Sequence, residues 1–174
     1  MGPEHSGPEP VAIDMSQASL PMPQPPAQAA LPPPLLYLAF IAVAMALSYA
    51  VPVVLPVNSW TAATAAAFIM LGQSLSFWAM WRFKREHTAT SNFDAPRELL
   101  RDGPFALSRN PINLGDTMAY VALSLLMGSL WPWLLLPLLL YLMNWLVIRP
   151  DEIQLEALFG DTYRQYCRRV RRWL

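Results

Sequence analysis

The sequence predicts an all-α integral membrane protein: four transmembrane helices, followed by amphipathic helices on the cytoplasmic side at the C-terminus. Three observations carry that prediction. Hydrophobic residues make up 55% of the chain and charged residues only 14%, too few charges for an ordinary soluble surface. No charged residue occurs from Leu35 to Trp81 or from Thr117 to Ile148, and each stretch exceeds the roughly 20 apolar residues of one crossing. All 12 Lys and Arg residues fall in two segments, Arg82 to Arg109 and Arg149 to Arg172.

The elements follow in order. Residues 1–34 hold ten prolines among Gln, Ala, Ser and Gly, with no Lys or Arg. Such a segment buries too little apolar surface to offset its ordering entropy, so a disordered or polyproline-like tail is expected there. It does not resemble a secretory signal peptide, because a basic leading region is missing and prolines interrupt every apolar run. Residues 35–174 are expected to form the membrane domain. Its first uncharged length is divided by Pro52, Pro56, Asn58 and Ser59 into helices over about 35–57 and 60–81. Trp60, Trp78 and Trp81 stand near the ends, where interfacial aromatics belong.

The second uncharged length reads as one long helix or as a hairpin broken at Gly128-Ser129 and Trp131-Pro132-Trp133. Charge decides. A hairpin, with helices over about 112–128 and 131–148, puts both basic segments on one side, as the positive-inside rule requires. A single helix would separate them. Four crossings therefore place segments 82–111 and 149–174 in the cytoplasm with both termini, and the expected location is a bacterial inner membrane.

Several function classes fall away. Net charge is zero, so charge gives no reason to expect a nucleic-acid partner. One cysteine, Cys167, and two distant histidines, His5 and His87, do not make a disulfide framework or a zinc site; no metal is expected. The polar segments are more informative. In Gly103 to Asp116, Ser108 or Asn110 suits an N-cap and Pro111 a first helical residue. A helix start beside Arg109 also suits an anionic ligand group. In Arg149 to Tyr166, Ile153, Leu155, Leu158 and Phe159 alternate with charge, as on an amphipathic helix at an interface. Gly160 reads as its stop. Asp151 and Glu152 favour the dipole of that helix start, and the run Arg168 to Trp173 reads as an anchor to anionic lipid.

Taken in order, Gly103-Pro104-Phe105, Arg109-Asn110-Pro111, Leu114-Gly115, Arg149, Asp151-Glu152, Leu155, Phe159-Gly160, Tyr163, Tyr166 and Arg169-Val170 resemble the signature of a known superfamily. It is that of the isoprenylcysteine carboxyl methyltransferases and phospholipid methyltransferases. The resemblance covers roughly Phe77 to Leu174. Three positions depart from it: Asn110 replaces a histidine, Asn113 a tyrosine and Asp151 a glutamate. The resemblance implies S-adenosylmethionine as the methyl donor. Arg109, Asn110, Pro111, Asn113, Leu114 and Gly115 would line its site, and Asp151 and Glu152 would meet its ribose or ammonium. Arg149 and Glu152 are the residues implied for catalysis: Arg149 to orient an anionic acceptor, Glu152 as base should the acceptor be an amine. The acceptor would be lipophilic: a prenylated protein, a phospholipid or a free isoprenoid acid. A looser likeness to membrane sterol reductases, through Arg109 to Asp116 and Tyr166 to Val170, implies a nicotinamide-dependent alternative. A non-catalytic membrane scaffold is a third reading.

Overall fold

The computed structural model describes residues 32–88 and 99–174; most of the proline-rich tail, and residues 89–98 of the first polar segment, lie outside the described residues. The described chain is helical, with one isolated β-bridge between Val54 and Ser129. Helix α1 spans Pro33–Ala50 and opens on proline, whose fixed φ suits a first turn. It is apolar all round and buries little besides Tyr37 and Ala44. An apolar helix so exposed within its own fold is one solvated by lipid. It stops at Ala50, seven residues before the expected end at 57. Pro52 has no N–H for the helical ladder and disfavours helical φ/ψ at Val51.

Helix α2 spans Ser59–Thr88. Asn58 caps it: Oδ1 accepts the backbone N–H groups of Trp60 and Thr61, each at 3.0 Å. At 30 residues it is about 45 Å long, more than the hydrocarbon thickness of about 30 Å. Its last turns, bearing Arg82, Lys84 and Arg85, extend beyond the crossing expected over 60–81. After a single turn, α3 (Pro104–Leu107), come α4 (Pro111–Met127) and α5 (Trp131–Met143). Gly128 turns the chain between these two in the left-handed region, at φ 58°. A π-helical turn, Asn144–Ile148, joins α5 directly to α6 (Arg149–Arg169). Pro150 cannot donate to the preceding turn, and the wider i→i+5 turn lies just before it.

Helices α2 and α4 form the tightest pair. Gly72 and Gly115 face each other so closely that a Cβ on Gly115 would overlap the Gly72 carbonyl and the Ser76 hydroxyl. The Ser76 hydroxyl donates to the Ile112 carbonyl at 3.1 Å. Helix α1 packs on α5 around Tyr37, Tyr120, Leu139, Met143 and Val147. The hydroxyls of both tyrosines are satisfied, as an apolar surround requires. Tyr37 donates to the Asn113 carbonyl at 3.0 Å and lies 2.7 Å from the Thr117 hydroxyl; Tyr120 donates to the Pro132 carbonyl at 2.9 Å.

At one end of the bundle the two turns are tied together, with Leu55 N–H on the Gly128 carbonyl and Leu130 N–H on the Val53 carbonyl. At the other end lie the described parts of both polar segments. Among the described residues, three helical stretches are long and apolar enough to cross a membrane: α1, α2 and the rod that begins with α5. In that rod the apolar part is Trp131 to Ile148, and α6 beyond it is polar. Helix α4, at 17 residues, is about 25 Å long.

Candidate functional site

At the polar end of the bundle the last residues return to the start of α4. The Arg109 N–H donates to the Arg171 carbonyl at 3.0 Å. The Ser108 hydroxyl and the Asn110 amide both donate to the Arg172 carbonyl, each at 3.2 Å. Ser108 is fully buried, and its oxygen also accepts the Asn110 N–H at 3.1 Å. The N-cap position of α4 therefore belongs to Asn110, but its side chain turns away from the helix to hold the tail.

The tail delivers Arg172 to Glu152. Arg172 Nε and Nη2 grip the two carboxylate oxygens at 3.0 and 2.6 Å, and Nη1 donates to Asn144 Oδ1 at 2.8 Å. Glu152 also faces Arg109, whose Nη1 stands 3.1 Å from Oε1. Bidentate guanidinium–carboxylate geometry is strong and directional. Arg109 and Glu152 are mostly buried, at 15% and 16% side-chain exposure, so these charges are partly withdrawn from water. Arg109 also donates to Cys167 Sγ. Its Nε is buried and, among the described residues, donates to nothing. Two guanidinium groups thus share one carboxylate, with a positive surplus and an unused donor.

Helix α6 is fixed over this cluster by two tyrosines. Tyr163 and Tyr166 are buried with ring centroids 6.1 Å apart, and Tyr166 donates to the Phe105 carbonyl at 2.6 Å. Burial pushes the Tyr166 phenol up to about 12, and burial with the Cys167 hydrogen bond pushes Tyr163 up as well. Both remain neutral hydroxyls at physiological pH. Burial pulls the Arg109 guanidinium down, but Glu152, Cys167 and Tyr163 push it up and the net shift is upward; it stays a cation. Gly160, at φ 50°, bends α6 so that Tyr163 and Tyr166 follow a different course from Arg149 to Phe159.

The implied site residues divide. Arg109, Asn110 and Glu152 meet through Arg172. Arg149 is exposed and shares with Glu152 an open groove of about 400 Å³, completed by Trp145, Pro150, Ile153 and Glu156. Asp151, next to Glu152, is exposed. Pro111, Asn113 and Gly115 are buried. Gly115 faces α2, and the Asn113 carbonyl serves Tyr37. Leu114 is half-buried on the same turn. Sequence reasoning reads Arg172 only as part of a lipid anchor, and gives neither Asn144 nor Cys167 a place beside Glu152. Arg172 stood in a run of like charges, and only the returning tail distinguishes it from its neighbours.

Residues 60–162 match the phospholipid methyltransferase family model. The chain belongs to that family. The chain also resembles the Schizosaccharomyces pombe protein named protein-S-isoprenylcysteine O-methyltransferase, with 30% identity over 109 residues, 62% of this chain and 46% of that one. This chain thus spans about half the length of that relative. An uncharacterized Haemophilus influenzae protein is 39% identical over 54 residues, 31% of this chain and 86% of that one. No solved structure matches. The family match contains Arg109, Arg149 and Glu152 but stops ten residues before Arg172. Neither the family nor these relatives lend support to the reductase reading.

Proposed function

We propose that this chain is a membrane methyltransferase that uses S-adenosylmethionine to methylate a lipophilic acceptor at the polar end of its helix bundle. The observation that carries the reading is the Glu152 carboxylate held between Arg109 and Arg172, with the unused Arg109 Nε beside it. That donor set fits the carboxylate of the methionine part, while Glu152 and the neighbouring Asp151 offer acceptors for its ammonium and ribose. When bound, the donor supplies an electrophilic methyl on a sulfonium.

The chain's own residues then bind and orient. Both Glu152 oxygens already accept from guanidinium groups, which suits a carboxylate that holds position better than one that collects a proton. Arg149 and Trp145 flank the open groove next to it, where an anionic headgroup and an apolar chain would lie side by side. A carboxylate or phosphate acceptor needs no base, so alignment of acceptor and methyl supplies much of the rate. An amine acceptor would require Glu152 to release one guanidinium first.

The bonded turns at one end and the clustered polar segments at the other support α4 as a fourth crossing, with the basic end in the cytoplasm of a bacterial inner membrane. The test is calorimetry on full-length, detergent-purified protein with S-adenosylmethionine and, separately, NADPH. Donor binding that is lost in Glu152→Ala supports the reading. NADPH binding alone, or binding of neither by folded protein, overturns it.

A further inference from the structure

The arginines of the C-terminal run do different things. Arg172 turns inward onto Glu152 and Asn144. Arg168, Arg169 and Arg171 are exposed, and among the described residues their side chains have no hydrogen-bonding or charged partner. Arg164, one turn earlier, is by contrast neutralised by Asp161 and Glu156. Arg168 and Arg169 lie in the last turn of α6, where they complement the helix dipole. Arg171 lies beyond the helix end, and no such account covers it.

The tail's level along the bundle is set by two apolar helices. The Arg171 carbonyl is bonded to Arg109 N–H, two residues before α4 begins. Arg172 reaches Asn144, the first residue after α5. Arg109 stands just before the apolar helix α4, and Asn144 lies in the last turn of the apolar stretch that ends at Ile148, so the tail is held close to the depth of the lipid headgroups. Trp173 is half-buried there and Leu174 is 73% exposed, a pairing of aromatic and apolar residues suited to an interface. Three exposed arginines without an ion-pair partner among the described residues, held near headgroup depth, attract anions, and the nearest source is the surrounding leaflet.

We propose that Arg168, Arg169 and Arg171 bind anionic phospholipid headgroups, and that the bound lipid keeps the tail seated with Arg172 on Glu152. The inference rests on the basic end of the bundle lying at a membrane surface, and it does not depend on the identity of the methyl donor. Docking of the outer arginines favours the tail conformation that Arg172 needs, so lipid charge and order in the site are coupled through one short segment.

Native mass spectrometry of the full chain, offered equal amounts of phosphatidylglycerol and phosphatidylcholine, reads the binding. The wild type should retain phosphatidylglycerol by roughly threefold or more. The triple variant Arg168→Gln, Arg169→Gln, Arg171→Gln should lose that preference, and the triple Arg→Lys variant should keep it. No preference in the wild type, an undiminished preference in the Gln variant, or displacement of the lipid by a short oligonucleotide of equal charge would overturn the site. Carboxypeptidase trimming of Trp173 and Leu174 in nanodiscs reads the seating. Trimming should be slower in phosphatidylglycerol-containing discs for the wild type and insensitive to lipid for the Gln variant; lipid-insensitive trimming of the wild type would refute the coupling. Calorimetry with S-adenosylmethionine on the same detergent samples stands apart. Its failure in every variant would count against the proposed methyl transfer and leave the lipid result intact.

Discussion

Glu152 and Arg172 make the sharpest case at the scale of single residues. Both Glu152 oxygens are occupied by guanidinium nitrogens, so Glu152→Gln deprives two partly buried cations of their shared counter-charge. Loss of one partner from a buried pair is strongly destabilising, on the order of 3 kcal/mol, and partial exposure reduces that here. The expected outcome is at least roughly tenfold weaker donor binding by calorimetry, equivalent to about 1.4 kcal/mol. Arg172→Lys should retain part of the affinity and Arg172→Gln little of it, because a lysine cannot grip both oxygens. Equal behaviour of the two Arg172 variants would show that the fork geometry is irrelevant. Of this cluster, Arg109 and Glu152 are named by motif order as candidates, and the fold brings the two side chains together. Arg172 was not: a run of basic residues carries no mark of which one turns inward.

Among the elements, the contact of α2 with α4 bears most directly on the site, since α4 presents Arg109 and Asn110 at its start. Gly115 reads from sequence as part of a ligand-binding motif, and its neighbours in the fold are the Gly72 carbonyl and Ser76. Gly115→Ala should therefore separate the helices and lower stability by about 1–3 kcal/mol, the usual range for overpacking. Thermal unfolding in detergent would measure this, and an unchanged midpoint would mean the pair can slide apart freely. Tyr37→Phe should be milder, about 0.6 kcal/mol, because hydrogen bonds between membrane helices contribute modestly. Helix ends were less legible than helices. The stop of α1 at Ala50 follows from Pro52, but an apolar run continuing to Val57 hides it. The π-turn before Pro150 depends on how α5 and α6 are joined, which periodicity does not report.

At the scale of the whole molecule, the bonded turns Val53–Leu55 and Gly128–Leu130 define one end, and the Arg109–Glu152–Arg172 cluster the other. Single cysteines placed at Val54 and at Arg101, in a Cys167→Ser background, should therefore be labelled by a membrane-impermeant thiol reagent from opposite sides of sealed vesicles. Labelling from the same side would remove α2 as a crossing between them. The family match, over residues 60–162, covers both ends of the bundle but leaves out the tail that brings Arg172 to Glu152.

The sequence by itself determined the all-α membrane class, because uncharged lengths long enough for a bilayer have no other economical use, and it determined the family, because ordered motifs survive as local spacing. Only the tertiary structure decided which motif residues join the polar Arg109–Glu152–Arg172 cluster and which lie in the helix packing. Gly115 is packed against α2, Asn113 is buried with its backbone carbonyl on Tyr37, and Arg172 lies 20 residues from the Glu152 it holds. The physical reason is that such a polar cluster is made by the return of the chain, and the direction in which each side chain then points is fixed by contacts between elements that no local pattern encodes.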